Sequence, residues 1–216
     1  MRKIISLLLF LILCFSFVAC NGSGGNRIDG ENNGDGGIEK EHKEQMAPLV
    51  ENGTSRYTVI IPHDASARIL YAAEELNNFL KQSTGVSLRV VKDSESEFNL
   101  SDACISIGKT RLLSEANLNV DYLSLNQDGF IIKTVEKSIF IDGYLERGTL
   151  YGVYSFLERN IGIRFLTADC TYIPKLSKVN LYVEDIKEVP DVVMRQYLKG
   201  DIFEGWADGA FAARTR

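Results

Sequence analysis

Two helix-length apolar periodicities, each set among short β-forming runs, constrain this chain more than any other feature. Ile69, Leu70, Ala73, Leu76, Phe79 and Leu80 recur at three- and four-residue steps and make one apolar helix face. Asp64 or Ser66 stands where an N-cap belongs, and Gly85 where the helix must stop. Leu150, Val153, Tyr154 and Leu157 mark a second helix over residues 147–160, followed by Gly162. Neither stripe can be buried by its own helix, so both require a shared partner layer.

The β-forming runs supply that layer. Residues 56–62, closed by Pro62, residues 86–91 and residues 103–108 read as strands, the last apolar enough to lie inside a sheet. Residues 129–135 and 138–142 are separated only by Glu136-Lys137 and read as a hairpin. Shorter strands are expected at 171–173, 179–183 and 192–197, with 185–190 as the exit from the domain. The class is therefore α+β: a mostly antiparallel or mixed sheet with two helices packed on it. Residues 55–190 are enough for one core.

Apolar residues are 45% and charged residues 25%, which excludes a wholly disordered chain and a multi-span membrane protein. The net charge is −5 and no basic stripe stands out, so nucleic acid is not expected as a partner.

Residues 1–20 have the layout of an export signal: Arg2 and Lys3, an apolar run from Ile4 to Ala19, then Cys20. That run is 16 residues, short of the roughly 20 a spanning helix needs. The segment resembles a bacterial lipoprotein signal, with Cys20 as the lipidated first residue of the mature chain; a plain secretory signal and an uncleaved anchor are the other readings. Attachment through acyl chains would place the protein at the bacterial surface or in the periplasm. Residues 21–54 read as a tether. Seven glycines and four asparagines fall between Asn21 and Gly37, and a charged spacer containing His42 follows.

Gly143-Tyr144-Leu145-Glu146-Arg147-Gly148-Thr149-Leu150-Tyr151-Gly152-Val153-Tyr154-Ser155-Phe156-Leu157-Glu158, running into Gly162-Ile163-Arg164-Phe165-Leu166, is the most distinctive stretch. It resembles the N-terminal domain of bacterial α-glucuronidase-type glycoside hydrolases and is similar to the second domain of β-N-acetylhexosaminidases. Ala72-Ala73-Glu74-Glu75-Leu76, Gln82-Ser83-Thr84-Gly85 and the hairpin ending in Asp142-Gly143 fit the same pattern, over about residues 55–197. The resemblance implies an accessory domain that precedes a catalytic (β/α)8 barrel, with carbohydrate as the partner. It also implies that the catalytic carboxylates belong to the barrel. Residues 191–216 then resemble the start of that barrel, which needs about 250 residues; only 19 follow Tyr197 here. The expectation is a surface-tethered accessory domain, inactive alone. The alternative is a stand-alone, non-catalytic carbohydrate-binding or scaffold lipoprotein.

No catalytic residue, metal ligand or cofactor is assigned. Glycoside hydrolysis needs two carboxyls about 5 to 9.5 Å apart. Glu74 and Glu75 are adjacent on a helix and point apart, while Glu146 and Glu158 are over three turns apart. Gly108-Lys109-Thr110 matches the end of a phosphate loop, but Ala103 occupies the place of its first glycine. His63 is expected to shape a helix entry and Arg147 to pair with Glu146 or a carbonyl. Tyr151 and Tyr154 should pack in the core. Trp206, the sole tryptophan, lies in residues 198–216, which have little to pack on and are expected to be mobile. Cys104 and Cys170 are expected as buried thiols on separate strands rather than as a disulfide.

Overall fold

The computed structural model describes residues 44–191 and Arg214. Residues 1–43, with Cys20, His42 and most of the tether, lie outside the described residues, as do the expected strand at 192–197 and Trp206.

Six strands form one mixed sheet in the order β2-β1-β3-β5-β4-β8. They are β1 Thr58–Ile61, β2 Arg89–Lys92, β3 Cys104–Ile107, β4 Phe130–Val135, β5 Ser138–Gly143 and β8 Asp185–Glu188. β1 pairs in parallel with β2 and β3, and β3 in parallel with β5. β4 is antiparallel to both β5 and β8. The α+β class and the mixed sheet agree with the sequence reading, and three of the five pairings are parallel. Parallel neighbours need crossovers, and the helices supply them: α1 (Ala67–Thr84) joins β1 to β2. A two-stranded ribbon, β6 (Arg164–Phe165) and β7 (Thr171–Tyr172), follows α3 (Glu146–Asn160).

The helix ends are set by local chemistry. Ser66 Oγ accepts the Ile69 amide at 3.4 Å, so Ser66 rather than Asp64 caps α1. Gly85, at φ 80°, closes it with its amide on the Lys81 carbonyl at 2.8 Å. In the hairpin, Val135 faces Ser138 and Glu136 takes the left-handed φ of 52° that so tight a turn demands.

Both faces of the sheet are covered. Val59 and Ile61 of β1, Ile105 and Ile107 of β3, and Ile139 and Ile141 of β5 meet the apolar faces of α1 and α3 in one core. The alternate residues Ile60, Cys104 and Phe140 meet a second cluster with Leu112 and Leu113. Those two leucines belong to α2 (Arg111–Glu115), a single turn that the sequence reading missed because five residues show no periodicity. Double coverage explains why these strands read as continuous apolar runs rather than as alternating ones.

Three boundaries differ from expectation. Residues 44–54 are part of the domain: Leu49 and Val50 are 0% and 1% exposed, and Val50 bridges Val179. Residues 179–183 form only isolated bridges, to Gln45 and Val50, not a strand. The last sheet strand is instead Asp185–Glu188, inside the segment read as the domain's exit. Its alternating charges suit an edge strand, which must not invite further pairing, and they hide it from a search for β-branched runs. Both cysteines are free thiols, but only Cys104, in β3, is buried as expected; Cys170 is exposed and stands just before β7, because the two-residue strand there has no second layer over it.

Candidate functional site

After β1 the chain crosses through α1 to β2 on one side, then returns to lay β3 on the other. This β1/β3 junction is a topological switch point, where open sheets carry ligands beyond the carboxyl ends of their strands. A cleft of about 310 Å³ lies there. Pro62 and Ser66 follow β1, Gly108 and Lys109 follow β3, and Asp142 and Gly143 end β5; Asp64, Tyr144, Glu146 and Thr149 help to close it.

Asp142 is the deepest charge in the cleft, 1% exposed. Its two oxygens accept the Tyr122 hydroxyl at 2.8 Å and the Thr149 hydroxyl at 3.2 Å. Thr149 Oγ1 in turn accepts the Gly143 amide at 3.0 Å, which ties the end of β5 to the first turn of α3. Burial raises the Asp142 carboxyl above its ordinary range, against the opposing pull of its hydrogen bonds and of Lys109. Burial and the facing carboxylate push the Tyr122 phenol up as well. Lys109 lies over the Tyr122 ring, 5.3 Å from its centroid. At the mouth, the Ser66 hydroxyl donates to Glu146 Oε2 at 2.7 Å, joining the N-cap of α1 to the start of α3.

This arrangement buttresses more than it reacts. Asp142 is committed to two hydroxyls, Ser66 both caps α1 and holds Glu146, and no thiol or histidine lines the cleft. Three carboxylates, Asp64, Asp142 and Glu146, face one lysine. Such a lining disfavours anionic ligands, and α2, at five residues, offers no helix N-terminus for phosphate behind Gly108-Lys109-Thr110. Thr110 is instead the N-cap of α2 and shares a 2.7 Å hydrogen bond with buried Ser106.

A second cavity of about 270 Å³ lies beside β1 and α2, lined by Asp93, Phe98, Asn99, Arg111 and Glu115 among others. Asp93 Oδ2 accepts the Arg111 amide at 2.8 Å, and the Arg111 guanidinium donates to the Asp93 carbonyl. His63 Nδ1 stands 3.9 Å from the other Asp93 oxygen, at the entry to α1 as expected. Among the described residues no group of three His, Cys, Asp or Glu side chains could hold a metal ion.

The remaining candidates separate cleanly. Glu74 is exposed and Glu75 buried on opposite sides of α1. Glu146 is an exposed N-terminal residue of α3, while Glu158 is half-buried three turns on. Arg147 pairs with Asp128 and Gln127, not with Glu146 or a carbonyl, and ties α3 to the loop before β4. Tyr154 is fully buried, as expected, and Tyr151 is half-buried. The sequence reading passed over Asp142, Lys109 and Asp93 as site residues. The usable signal was an acid ending a strand that is apolar on both faces, Ile139-Phe140-Ile141-Asp142.

The family model for the N-terminus of glycosyl hydrolase family 67 matches residues 45–156. The chain belongs to that family. The matched stretch of this family 67 N-terminal domain runs from the first buried segment through most of α3, and so contains the whole switch-point cleft. α-Glucuronidase A of Emericella nidulans is 31% identical over 105 residues, covering 47% of this chain and 12% of the relative. The chain thus spans about an eighth of that protein's length. Similar solved structures include a family GH115 4-O-methyl-α-glucuronidase with specificity for decorated arabinogalactans, at 16% identity and TM-score 0.46, covering 65% of this chain and 18% of that one. A Streptomyces plicatus β-hexosaminidase is 14% identical with TM-score 0.44, covering 70% of this chain and 25% of that one.

Proposed function

We propose that this family 67 N-terminal domain is the non-catalytic, surface-tethered part of an apparatus that cleaves glycosidic bonds in glucuronic acid-bearing polysaccharide. The family match over residues 45–156 carries the reading. The interior supports it. Asp142 and Glu75 are spent on internal hydrogen bonds, and the cleft's acidic lining is unsuited to a uronate. Hydrolysis would then fall to a separate carboxylate pair in a barrel. Purified residues 21–216 should show no turnover of aryl glucuronides, aryl hexosaminides or glucuronoxylan fragments. Turnover that disappears on replacing one acid within 55–190 would overturn the assignment.

Tethering rests on the basic start, apolar run and Cys20. Cells fed labelled palmitate should incorporate it into the wild-type chain and not into Cys20→Ser. Equal labelling of both would remove the anchor from the proposal.

A further inference from the structure

Asp93 is held at three of its polar atoms and unmet at the fourth. It directly follows β2, is 4% exposed, and donates its amide to the Ile61 carbonyl at 2.9 Å. Its own carbonyl accepts the Arg111 guanidinium, and its Oδ2 accepts the Arg111 amide at 2.8 Å. Oδ1 is buried too and makes no hydrogen bond. His63 Nδ1 stands 3.9 Å from it, beyond hydrogen-bond reach, on a side chain that is 66% exposed and also faces Asp64. A buried acceptor without a donor bears the cost of its desolvation with nothing in return. A donor meeting Oδ1 would break no existing bond.

Asp93 forms part of the wall of the cavity beside α2. Glu97 and Glu115 stand exposed at the rim of that cavity. Among its described lining residues, three carboxylates thus face one guanidinium, that of Arg111, which the Asp93 carbonyl already engages. Such a wall favours positive charge. Carboxylates only accept, whereas an ammonium only donates, three times over. Buried Ile60 and Leu112 and half-buried Phe98 give a short carbon chain an apolar surface, and an aromatic ring also attracts cations. The switch-point cleft has as many carboxylates, but both oxygens of Asp142, the deepest of them, are spent on hydroxyls. Asp93 Oδ1 is what sets the second cavity apart.

We propose that this cavity binds a small aliphatic diamine. One ammonium donates to Asp93 Oδ1 in its depth, and the other lies between Glu97 and Glu115 at its rim. The carbon chain between them lies against Phe98, Ile60 and Leu112. The site does not rest on the proposed function.

An NMR titration of the full 216-residue chain with 1,4-diaminobutane at constant ionic strength tests it. Amide shifts should saturate and centre on residues 93–99 and 111–115, with the Arg111 amide as the nearest reporter. Butane-1,4-diol, of the same length but uncharged, and glucuronate, of opposite charge, should leave those amides in place. Asp93→Asn keeps an oxygen for the Arg111 amide but loses the acceptor at Oδ1, and should weaken binding about tenfold or more. Because that change is buried, Glu115→Gln at the exposed rim is read beside it. It should weaken binding about twofold at low salt, with the difference fading as salt rises. The site is refuted if the diamine moves no amide, or if the shifts centre on residues 62–66 and 142–149 instead. It is equally refuted if the diol or glucuronate binds as well as the diamine, or if either variant binds the diamine at low salt as the wild type does. Turnover by the chain would overturn the proposed function and leave these outcomes unaffected, so the two readings fail independently.

Discussion

Gly148→Ala should destabilise the domain by about 3–5 kcal/mol, the exceptional end of single-residue effects. A Cβ at Gly148 would lie 2.2 Å from the Gly129 carbonyl oxygen and 3.2 Å from its carbon. Both are backbone atoms, and Gly129 is itself held by the 2.9 Å hydrogen bond that its amide donates to the Leu125 carbonyl. One turn on, a Cβ at Gly152 would meet Ile141 Cγ2 at 2.7 Å and the Phe130 ring at 3.2 Å. α3 is therefore seated on β4 and β5 at a distance that only glycine permits. Helix propensity alone argues the reverse, since alanine gains about 1 kcal/mol over glycine inside a helix. Overpacking against backbone outweighs that gain because neither wall can rotate away. Urea denaturation decides between the two. The matched control is Gly85→Ala, which meets no atom within 4 Å and carries only the left-handed strain of φ 80°, about 1–2 kcal/mol. A Gly148→Ala variant as stable as the wild type would mean that the helix stands off the sheet.

The same contacts explain what the sequence made visible. The stretch from Gly143 to Glu158 was distinctive because its glycines answer to close approaches between a strand end, a loop and a helix face, as do Gly143 and Thr149, whose backbones come together there. The long helices were legible because each repeats its apolar period over several turns, and the hairpin because two β-forming runs stand only two residues apart. α2 was not legible, because one turn repeats nothing. β8 was not, because an edge strand is selected for charge rather than β-propensity. The cleft was hidden for another reason. Asp142, Lys109 and Ser66 come from three separate strand ends, and only the parallel order of β1, β3 and β5 brings them together. Glu75 read as one half of an adjacent acidic pair, since its partners, Tyr154 and Arg214, lie 79 and 139 residues away.

Removing residues 44–54 should cost about 3–6 kcal/mol, although composition reads the segment as tether. Leu49 and Val50 are 0% and 1% exposed, and complete burial of such side chains contributes about 1.5–3 kcal/mol each. The backbone is held as well. Met46 N donates to Leu181 O at 2.9 Å, Leu49 N to Val179 O at 2.8 Å, and Val179 N to Val50 O at 2.9 Å. Deletion would expose Val179 and Leu181, now 1% and 0% exposed, and leave the Val179 amide to water. The family match also begins within this segment, at residue 45. A chain beginning at Ser55 should accordingly unfold at a markedly lower urea concentration than one beginning at Glu44, and Leu49→Ala in the full chain should reproduce about 2–5 kcal/mol of the loss. Equal midpoints for the two chains would return residues 44–54 to the tether. It would also mean that the 179–183 segment holds its place through the rest of the core alone.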